Sequence, residues 1–372
     1  MRRRTFVQSS LAAIGGLLVA ACDDPAPTTP TGSNQHDGRE WMMPDEGHPH
    51  ERTWMAFGAS ARIWGRELLP EVQRNLATIA TTIARFEPVS MLVRPGEMEL
   101  ARSLVGGANV ELIATEIDDL WMRDTGPVFV RSGGTLAGVD FNFNGWGNKQ
   151  EHRRDAEVAE FVTGRAGVET LHTDLVLEGG GIEVDGEGTA IITESCVLNN
   201  NRNRGWSKGD VEEELAYLLG IEKVIWLPGI AGEDITDGHT DFYARFATPG
   251  VVVAGLDNDP DSFDYDVTRR HLDILHSATD VQGRPLRVEV LEGPSTVRET
   301  YADDDFAAGY INFYVCNGAV IAPEFGDPVT DPTTAATLGR LFPDREIVQI
   351  AIDGIAAGGG GIHCTTQQQP AR

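Results

Sequence analysis

The sequence predicts an α/β fold in which five similar units surround a common axis, a five-bladed pseudo-fivefold α/β propeller. A pattern of β-hairpin, helix and short apolar strand recurs every roughly 55–75 residues. No change in composition after Trp41 marks a second domain. Units of this composition cannot bury their apolar faces alone, so five of them are expected to close radially. An ordinary open α/β sheet with five coincidental units is the alternative.

The first unit is the most diverged of the five. It begins with the apolar strand Thr53–Phe57 and ends with the strand Val89–Val93. Between them a helix is predicted over Glu71–Phe86. This helix is expected to start directly after Pro70, since proline is favoured at the beginning of a helix.

Turn residues between β-rich runs predict a hairpin at the start of each remaining unit. The four hairpins are Val128–Asn142, Ile182–Leu198, Asp241–Leu256 and Asn312–Phe325. The helices that follow them are Arg154–Gly164, Gly209–Leu219, Val267–Ser277 and Thr333–Phe342. The apolar strands that complete the units are Val168–Leu171, Lys223–Leu227, Leu286–Leu291 and Glu346–Ile350.

Residues 1–22 predict an export signal rather than part of the fold. Three arginines at positions 2–4 resemble a twin-arginine signal, and the apolar run Leu11–Ala21 is too short to span a bilayer comfortably. The run leads into Cys22 through Val-Ala-Ala, which resembles a lipobox with Cys22 as the lipidated residue. We therefore expect an exported, membrane-anchored lipoprotein that faces the periplasm or the cell exterior. A plain signal peptide with a chance cysteine is the alternative.

Residues 23–40 are rich in Pro, Thr, Gly and Asp and predict a flexible tether to a single domain over residues 41–372. The net charge of −27 excludes nucleic acid as a partner, because little here could replace the counterions of phosphates. The same charge is compatible with a small cationic substrate. The oligomeric state stays open.

Three cysteines remain beyond the export signal: Cys196, Cys316 and Cys364. They show no Cys/His spacing of the kind that binds a metal, so no metal site is expected. An odd number leaves at least one free thiol within the chain. Whether Cys196 and Cys316 form a disulfide is left open by their positions.

Six chemically active side chains lie where a predicted hairpin begins, or where the chain returns to close the ring. They are Asp124, Glu178, His239, Asp241, Asn312 and Cys364. In a radial fold these equivalent positions converge near the axis and share one pocket. Each taken singly has a simpler explanation, such as a buried cysteine or a turn at Asp-Gly.

Together these side chains form one chemically consistent set. A thiol can act as nucleophile while a nearby imidazole moves protons, and a carboxylate beside the imidazole raises its basicity. Two further carboxylates match a planar guanidinium, which presents its N–H donors in parallel pairs. Glycines beside Glu178 and Cys364 allow a ligand to approach the backbone closely.

Several stretches resemble the agmatine deiminase and bacterial (Porphyromonas-type) peptidylarginine deiminase family, over residues 41–370. They are WMRDTGP, FNFNGWGNK, LEGGGIEVDGEGT, TDGHTDFYARF, YINFYVCNGAVIAP and GGGGIHCTTQQQP. The resemblance implies the pentein fold, an α/β propeller of five ββαβ-type units. It also implies hydrolysis of a guanidinium group through a covalent thiouronium intermediate, with neither metal nor organic cofactor.

The same resemblance assigns roles to the individual residues. Cys364 is the nucleophile, His239 the general acid and base, and Glu178 its carboxylate partner. The guanidinium clamp would be Asp124 and Asp241. The substrate-binding residues would be Trp121, against the methylene chain, and Asn312.

The substrate is less well defined than the chemistry. FNFNGWGNK resembles the agmatine enzymes, and no arginine stands there to receive a carboxylate, which favours agmatine. Arginine or peptidylarginine stays an alternative, because export is typical of the peptide-modifying members. Arginines that could receive a carboxylate are Arg153, Arg154, Arg202 and Arg204. A silent binding lipoprotein for cationic ligands and an amidinotransferase are alternatives of other kinds.

Overall fold

The computed structural model describes residues 38–301 and 306–372. Within these residues the strands form five separate sheets, four with three strands and one with four. The five-unit prediction is therefore confirmed, and the alternative of one open sheet is wrong. The predicted export signal with Cys22, and most of the predicted tether, lie outside the described residues.

The first unit contains more elements than the sequence predicted. Its elements are β1 (His50–Phe57), α1 (Ala61–Ile83), β2 (Val89–Val93), α2 (Met98–Val105) and β3 (Val110–Ala114). Strand β2 lies between β1 and β3 and pairs parallel with both. The sequence prediction missed α2 and β3, so this unit is longer than its four companions.

The predicted start of the first helix at Glu71 is wrong. Helix α1 begins ten residues earlier, at Ala61, and contains Pro70. Gly65 interrupts the helical backbone with φ of 70°, so that a second helical segment begins after it. Pro70 lies near the start of this second segment, where a missing N–H removes at most one intrahelical hydrogen bond.

The other four units follow one scheme, in which the first two strands pair antiparallel and the second and third pair parallel. The second unit contains α3 (Met122–Thr125), β4 (Val128–Ser132), β5 (Thr135–Asp140), α4 (Gly145–Asn148), α5 (Val158–Ala166) and β6 (Glu169–His172). The third contains β7 (Ile182–Val184), β8 (Thr189–Thr193), α6 (Glu194–Val197), α7 (Lys208–Leu219) and β9 (Lys223–Leu227).

The fourth unit contains β10 (Ala244–Thr248), β11 (Val251–Leu256), α8 (Asp264–Ser277) and β12 (Arg287–Glu292). The fifth contains β13 (Tyr314–Cys316), β14 (Ala319–Glu324), α9 (Thr330–Leu341) and β15 (Glu346–Ala351). Helix α10 (Asp353–Ala356) and strand β16 (Thr366–Pro370) end the chain. The predicted hairpin Ile182–Leu198 extends too far, because its last residues form α6 instead of strand.

The two ends of the domain meet in the first sheet. Strand β16 pairs antiparallel with β1, so that Gln367 lies opposite Trp54 and Thr366 opposite Met55. The first unit therefore obtains its antiparallel partner strand from the other end of the chain. The first unit differs in sequence from the others because the antiparallel partner of its first strand lies more than 300 residues later in the chain.

Side chains from different units meet in a buried polar group that we call the axial cluster: Glu46, Arg123, Glu183, Arg245 and Gln368. Glu46 Oε2 accepts from Arg123 Nη2 at 2.9 Å, and Glu46 Oε1 accepts from Arg245 Nη2 at 2.9 Å. Arg245 Nε donates to Glu183 Oε2 at 2.7 Å, and Arg123 Nη1 donates to Gln368 Oε1 at 2.8 Å. Because these residues belong to four units and to the segment before β1, the units surround a common centre.

The helices cover the sheets with apolar faces. In α1 the buried residues Val72, Leu76, Ile79 and Ile83 recur at spacings of three and four, which places them on one side of the helix. They share a core with residues of β1 and β2 such as Met55. Full burial of one such side chain stabilises the fold by about 1.5–3 kcal/mol. Among the described helices, none has the length and apolarity needed to cross a membrane.

Candidate active site

The six side chains predicted to converge are brought together by short turns at the beginnings of the units. Glu178 precedes the turn 179–181, His239 and Asp241 lie at the turn Thr240–Phe242, and Cys364 lies in the turn His363–Thr365. Asp124 lies in α3, and Asn312 lies just before β13. All six are buried. These turns let polar side chains leave the ends of apolar strands and face one another.

Cys364 is held from both sides by Asn312. Asn312 Nδ2 donates to the sulfur at 3.2 Å, and Asn312 Oδ1 accepts from the backbone N–H of Cys364 at 3.2 Å. The Sγ also lies 3.5 Å from Asp241 Oδ2. Burial raises the pKa of the Cys364 thiol well above its usual value, and the negative charges of Asp241 and Asp124 raise it further. The surroundings of the sulfur therefore favour the thiol over the thiolate.

His239 lies between two carboxylates. Its Nε2 lies 3.4 Å from Glu178 Oε2, and its Nδ1 lies 3.8 Å from Asp124 Oδ1. Burial lowers the pKa of His239, but Asp124 and the contacts with Cys196 and Glu178 outweigh it and hold that pKa well above the usual value. The imidazole is therefore protonated at neutral pH and can donate a proton to a leaving group.

Glu178 stays ionised although it is completely buried. Burial raises its pKa, but the Arg202 guanidinium and His239 outweigh this and lower it to about 2. Arg202 Nε donates to both Glu178 oxygens, at 2.9 and 3.0 Å, and Arg202 Nη1 donates to Asp237 at 2.8 Å. Arg202 thus fixes the carboxylate that faces His239.

The two aspartates of the predicted clamp differ in their surroundings. Asp124 accepts from Gly180 N at 3.1 Å and from Trp146 Nε1 at 3.0 Å. Burial raises the pKa of Asp124 to about 6; His239 lowers it, while Asp241 and Glu178 raise it. Asp241 has a lowered pKa, because the His363 hydrogen bond and charge, with His239, outweigh burial. The pair therefore favours a cationic ligand, which would compensate both carboxylates.

Two buried polar atoms in this site make no hydrogen bond to any residue that the structure describes: His239 Nδ1 and Asp241 Oδ1. Buried polar atoms are nearly always paired in folded proteins, since an unpaired one costs about 1–3 kcal/mol. The two atoms belong to residues two positions apart, at the beginning of the turn Thr240–Phe242. Asp241 Oδ1 is a position that can accept a hydrogen bond from a ligand, and Nδ1 of the protonated His239 is one that can donate a proton.

Glycines leave the space that this arrangement needs. A Cβ on Gly180 would lie 2.6 Å from His239 Nδ1, 2.9 Å from Asp124 Oδ1 and 3.1 Å from Asp241 Oδ2. A Cβ on Gly361 would lie 2.4 Å from Asn312 Oδ1. Any larger residue at these positions would displace the polar atoms around the nucleophile.

The predicted pocket residue Trp121 lies in the apolar core that also contains Cys364. Its ring stands 5.7 Å from that of Trp64, and a Cβ on Gly360 would lie 2.1 Å from it. The indole therefore packs on the glycine-rich loop that leads to Cys364. Its predicted contact with a substrate chain stays a prediction.

Four residues of this environment were not found by sequence reasoning: Glu46, Trp146, Arg202 as a partner of Glu178, and His363. Trp146 was part of a quoted motif, and its φ of 56° is unusual for a residue other than glycine. His363 could have been found from the sequence because it is adjacent to the predicted nucleophile Cys364. The partnership of Arg202 with Glu178 could not be read from the sequence, since buried ion pairs have no fixed spacing.

Four arginines were predicted as possible receptors of a substrate carboxylate, and for Arg202 this prediction is wrong. It is buried and engaged by Glu178 and Asp237. Arg154 lies 3.2 Å from Glu116.

One group of side chains has the ligand types of a metal site. Glu178, Cys196 and His239 place one ligand atom each within 4.8 Å of one another. Arg202 donates to both oxygens of Glu178, so a metal cation there would face a guanidinium. The arrangement therefore fits an imidazole–carboxylate pair better than a metal centre. Cys196, Cys316 and Cys364 are free thiols, so the disulfide left open from the sequence is not formed.

Comparison with known proteins gives consistent results. The model of the Porphyromonas-type peptidyl-arginine deiminase family matches residues 42–370. A protein of Streptomyces coelicolor is 45% identical over 339 residues, covering 89% of this chain and 99% of the relative. Agmatine deiminase of Pseudomonas aeruginosa is 38% identical over 369 residues, covering 92% and 99%. The solved structure of the Enterococcus faecalis agmatine deiminase superposes with a TM-score of 0.85 at 31% identity, covering 92% and 99%.

Proposed function

Because this chain belongs to the Porphyromonas-type peptidyl-arginine deiminase family, we propose that it hydrolyses the guanidinium group of agmatine to N-carbamoylputrescine and ammonia. The observation that carries this proposal is the buried site itself. A thiol, an imidazole–carboxylate pair and two further carboxylates face one another, and Asp241 Oδ1 receives no hydrogen bond from any described residue. This arrangement is complementary to a planar cation with several N–H donors.

The first step begins with the guanidinium held between Asp124 and Asp241. Its positive charge compensates the two carboxylates that raise the pKa of the Cys364 thiol, so the thiolate becomes accessible on binding. Attack forms a bond between Sγ and the guanidinium carbon. The thiol proton is released to solvent as the guanidinium binds, and His239 donates its own proton to the departing nitrogen, so ammonia leaves, a thiouronium remains on Cys364 and His239 becomes neutral.

The second step uses water. His239 takes a proton from water as the oxygen attacks the thiouronium carbon, and the bond between carbon and Sγ breaks. The hydroxyl proton of the adduct passes to the departing sulfur, so the ureido product leaves and Cys364 is again a thiol, while ammonia takes up the proton that the thiol released on binding. Glu178, fixed by Arg202, keeps the imidazole oriented through both steps.

Agmatine is supported as substrate by the names of the similar proteins and by the commitment of Arg202 to Glu178 and Asp237. The family name and the predicted export signal support peptidylarginine as the second candidate, with citrulline as product.

An assay for ureido product tests the proposal. The soluble form from Asp23 onward is given agmatine, arginine or a peptide ending in arginine, with Cys364→Ala as the inactive control. Cys316→Ser is the matched thiol control, since Cys316 is equally buried but lies outside the site. Turnover of agmatine that Cys364→Ala abolishes and Cys316→Ser retains supports the proposal. Preferential turnover of the peptide assigns the other substrate, and binding without turnover identifies a binding protein.

An amidinotransferase would use the same covalent intermediate but pass the amidino group to an amine. Adding an acceptor amine separates the two reactions. The proposal expects ureido product at an unchanged rate, whereas a transferred amidino group would contradict it.

We also propose that the chain is exported and anchored in the membrane through a lipid on Cys22. The support is the sequence of arginines, short apolar run and lipobox-like residues before Cys22. Fractionation of cells that express the full chain tests this. Cys22→Ser is expected to move the protein from the membrane fraction to the soluble fraction, and Lys at both Arg2 and Arg3 is expected to block export. An unchanged membrane fraction for Cys22→Ser contradicts the anchor.

A further inference from the structure

His363 has an environment that the proposed reaction does not explain. It directly precedes the nucleophile, and its side chain is 2% exposed. Its Nδ1 lies 2.7 Å from Asp241 Oδ2, and its Nε2 lies 2.9 Å from Glu46 Oε2. The ring therefore connects the aspartate of the predicted clamp with the axial cluster.

Both ring nitrogens face carboxylate oxygens. The contact with Asp241 is a hydrogen bond, and that with Glu46 has the distance of an ion pair. The charged groups that face it are Asp241, Glu46 and Glu183, with the cationic Arg123 donating to the His363 carbonyl at 3.3 Å. The ring therefore lies in a predominantly acidic surrounding.

Because of the contact with His363, the two oxygens of Asp241 have different surroundings. Its Oδ2 is occupied by His363 and lies 3.5 Å from the Cys364 sulfur. Its Oδ1 is buried and makes no hydrogen bond within the described part of the chain. A carboxylate held by one oxygen can present the other to a ligand in a fixed direction.

We propose that His363 is a positioning residue, which holds Asp241 through Oδ2 so that Oδ1 faces the guanidinium of the substrate, and which is itself held by Glu46. This inference rests on the proposed guanidine hydrolysis. Glu46 can hold His363 because its own position is fixed. Arg123 and Arg245 each donate to it at 2.9 Å, and the N–H of Val315 donates to it at 2.7 Å. The nucleophile loop is thereby attached to the centre of the fold.

The ionisation of Asp241 depends on the same contact. Burial alone raises the pKa of this carboxyl, and the His363 hydrogen bond and charge are the main causes that lower it; His239 and Arg245 contribute less. The negative charge of Asp124 opposes ionisation of Asp241 from the other side. Loss of the imidazolium therefore favours protonation of Asp241.

Two matched substitutions separate the two contacts of the ring. In His363→Asn the amide nitrogen can take the place of Nδ1, so the bond to Asp241 survives and that to Glu46 is lost. In His363→Gln the amide nitrogen can take the place of Nε2, so the bond to Glu46 survives and that to Asp241 is lost. Both remove the positive charge, so their difference reports on geometry.

The measurements are kcat and KM for agmatine, the pH dependence of kcat/KM, and the dissociation constant of agmatine in a Cys364→Ala background. We expect about a 100-fold loss of kcat/KM and a matching loss of affinity in His363→Gln. The loss in His363→Asn is expected to be about tenfold smaller. The acidic limb of the pH profile is expected to move to higher pH, most in His363→Gln, because Asp241 takes a proton more easily without the imidazolium.

The opposite order, with His363→Asn the more damaged, would assign the importance of His363 to its contact with Glu46. Equal losses with an unshifted acidic limb, or wild-type kinetics in both variants, would also overturn the positioning role. Thermal denaturation of both variants shows whether a loss of activity is caused only by a loss of folded protein. Failure of the proposed function is recognised separately, because the unmodified chain then turns over none of the guanidino substrates.

Discussion

Two buried polar clusters lie side by side in this molecule, joined by His363, and they differ in how completely their charges are paired. In the axial cluster each charged side chain has a partner of opposite sign: Glu46 with Arg123 and Arg245, and Glu183 with Arg245. In the active site three carboxylates converge, and two polar atoms make no hydrogen bond to any described residue. Burial is similar in both, so pairing is what distinguishes them.

The difference appears in the pKa values of Glu46 and Asp124, although it does not extend to every carboxyl group, because the pKa of Glu183 in the axial cluster is raised and that of Glu178 in the active site is lowered. Burial raises the pKa of Glu46, but Arg245, His363 and Arg123 outweigh it, and this pKa lies well below its usual value. Burial raises the pKa of Asp124 to about 6, because the charge of His239 offsets burial only in part and Asp241 and Glu178 raise the pKa further. A completely paired cluster stabilises one structure, whereas an incompletely paired one is completed by a ligand. The predictions below test this distinction.

The largest expected effect is on activity, from Asp124→Asn. Removal of this charge is expected to lower kcat/KM by about 1,000-fold or more, because one side of the guanidinium clamp is lost. The free energy of unfolding is expected to change by less than about 1 kcal/mol at neutral pH. Relief from the charges of Asp241 and Glu178 offsets the disturbed contacts with Gly180 and Trp146. Steady-state kinetics and chemical denaturation provide the two numbers, and a strongly destabilised variant would contradict the distinction.

In the axial cluster the expected effect is on stability. Arg245→Met leaves Glu46 and Glu183 buried without this cation and is expected to destabilise the fold by about 3–5 kcal/mol. The matched control is Arg85→Met, which removes an exposed pair with Glu346 at 2.9 Å and is expected to cost at most about 1 kcal/mol. Chemical denaturation measures both. Equal effects of the two substitutions would mean that buried pairing does not hold this centre together.

A smaller effect is expected in the pH dependence of kcat/KM. Activity is expected to fall as the pH drops through about 6, where Asp124 takes up a proton, and to fall again as the pH rises through the raised pKa of His239. Trp146→Phe removes a hydrogen bond that lowers the pKa of Asp124, so the acidic limb is expected to move to higher pH. If the acidic limb does not move in this variant, the acidic limb does not report the ionisation of Asp124.

The sequence allowed much of this architecture to be predicted, because each unit carries local signals. Turn residues between apolar runs gave the four hairpins, and Lys223–Leu227 and Val89–Val93 were placed at their observed bounds. The start of α1 was predicted from Pro70 alone, whereas the helix begins at Ala61 and is interrupted at Gly65. The missed elements α2 and β3 have no counterpart in the other units, so the repeat could not indicate them.

The six site residues could be grouped in advance because the repeat places them at equivalent positions. Their partners could not. Glu46 lies before the first unit, and its contact with His363 depends on how the two chain ends pack. The distinction between paired and unpaired charges likewise emerges only from distances, since Asp124 and Glu183 look alike in the sequence.

The smallest expected signal comes from the thiol at the centre of the unpaired cluster. Burial, Asp241 and Asp124 raise the pKa of Cys364, so the free enzyme is expected to contain a thiol at neutral pH. A bound guanidinium offsets the two negative charges and favours the thiolate. Ultraviolet thiolate absorbance is therefore expected to increase when a non-reacting guanidino analogue is added.

The comparison with Cys364→Ala isolates this signal, because the variant retains Cys196 and Cys316. Both of these buried thiols also have raised pKa values: burial is the main cause in each, and the carboxylate of Glu178 acts on Cys196 and that of Glu87 on Cys316. They are expected to stay protonated with and without ligand. Equal absorbance in the free and bound wild-type protein would show that the ligand does not complete the charge balance of the site. Cys364 would then have to ionise before the substrate binds. The acidic surroundings of the sulfur would in that case oppose the reaction instead of linking ionisation of the thiol to substrate binding.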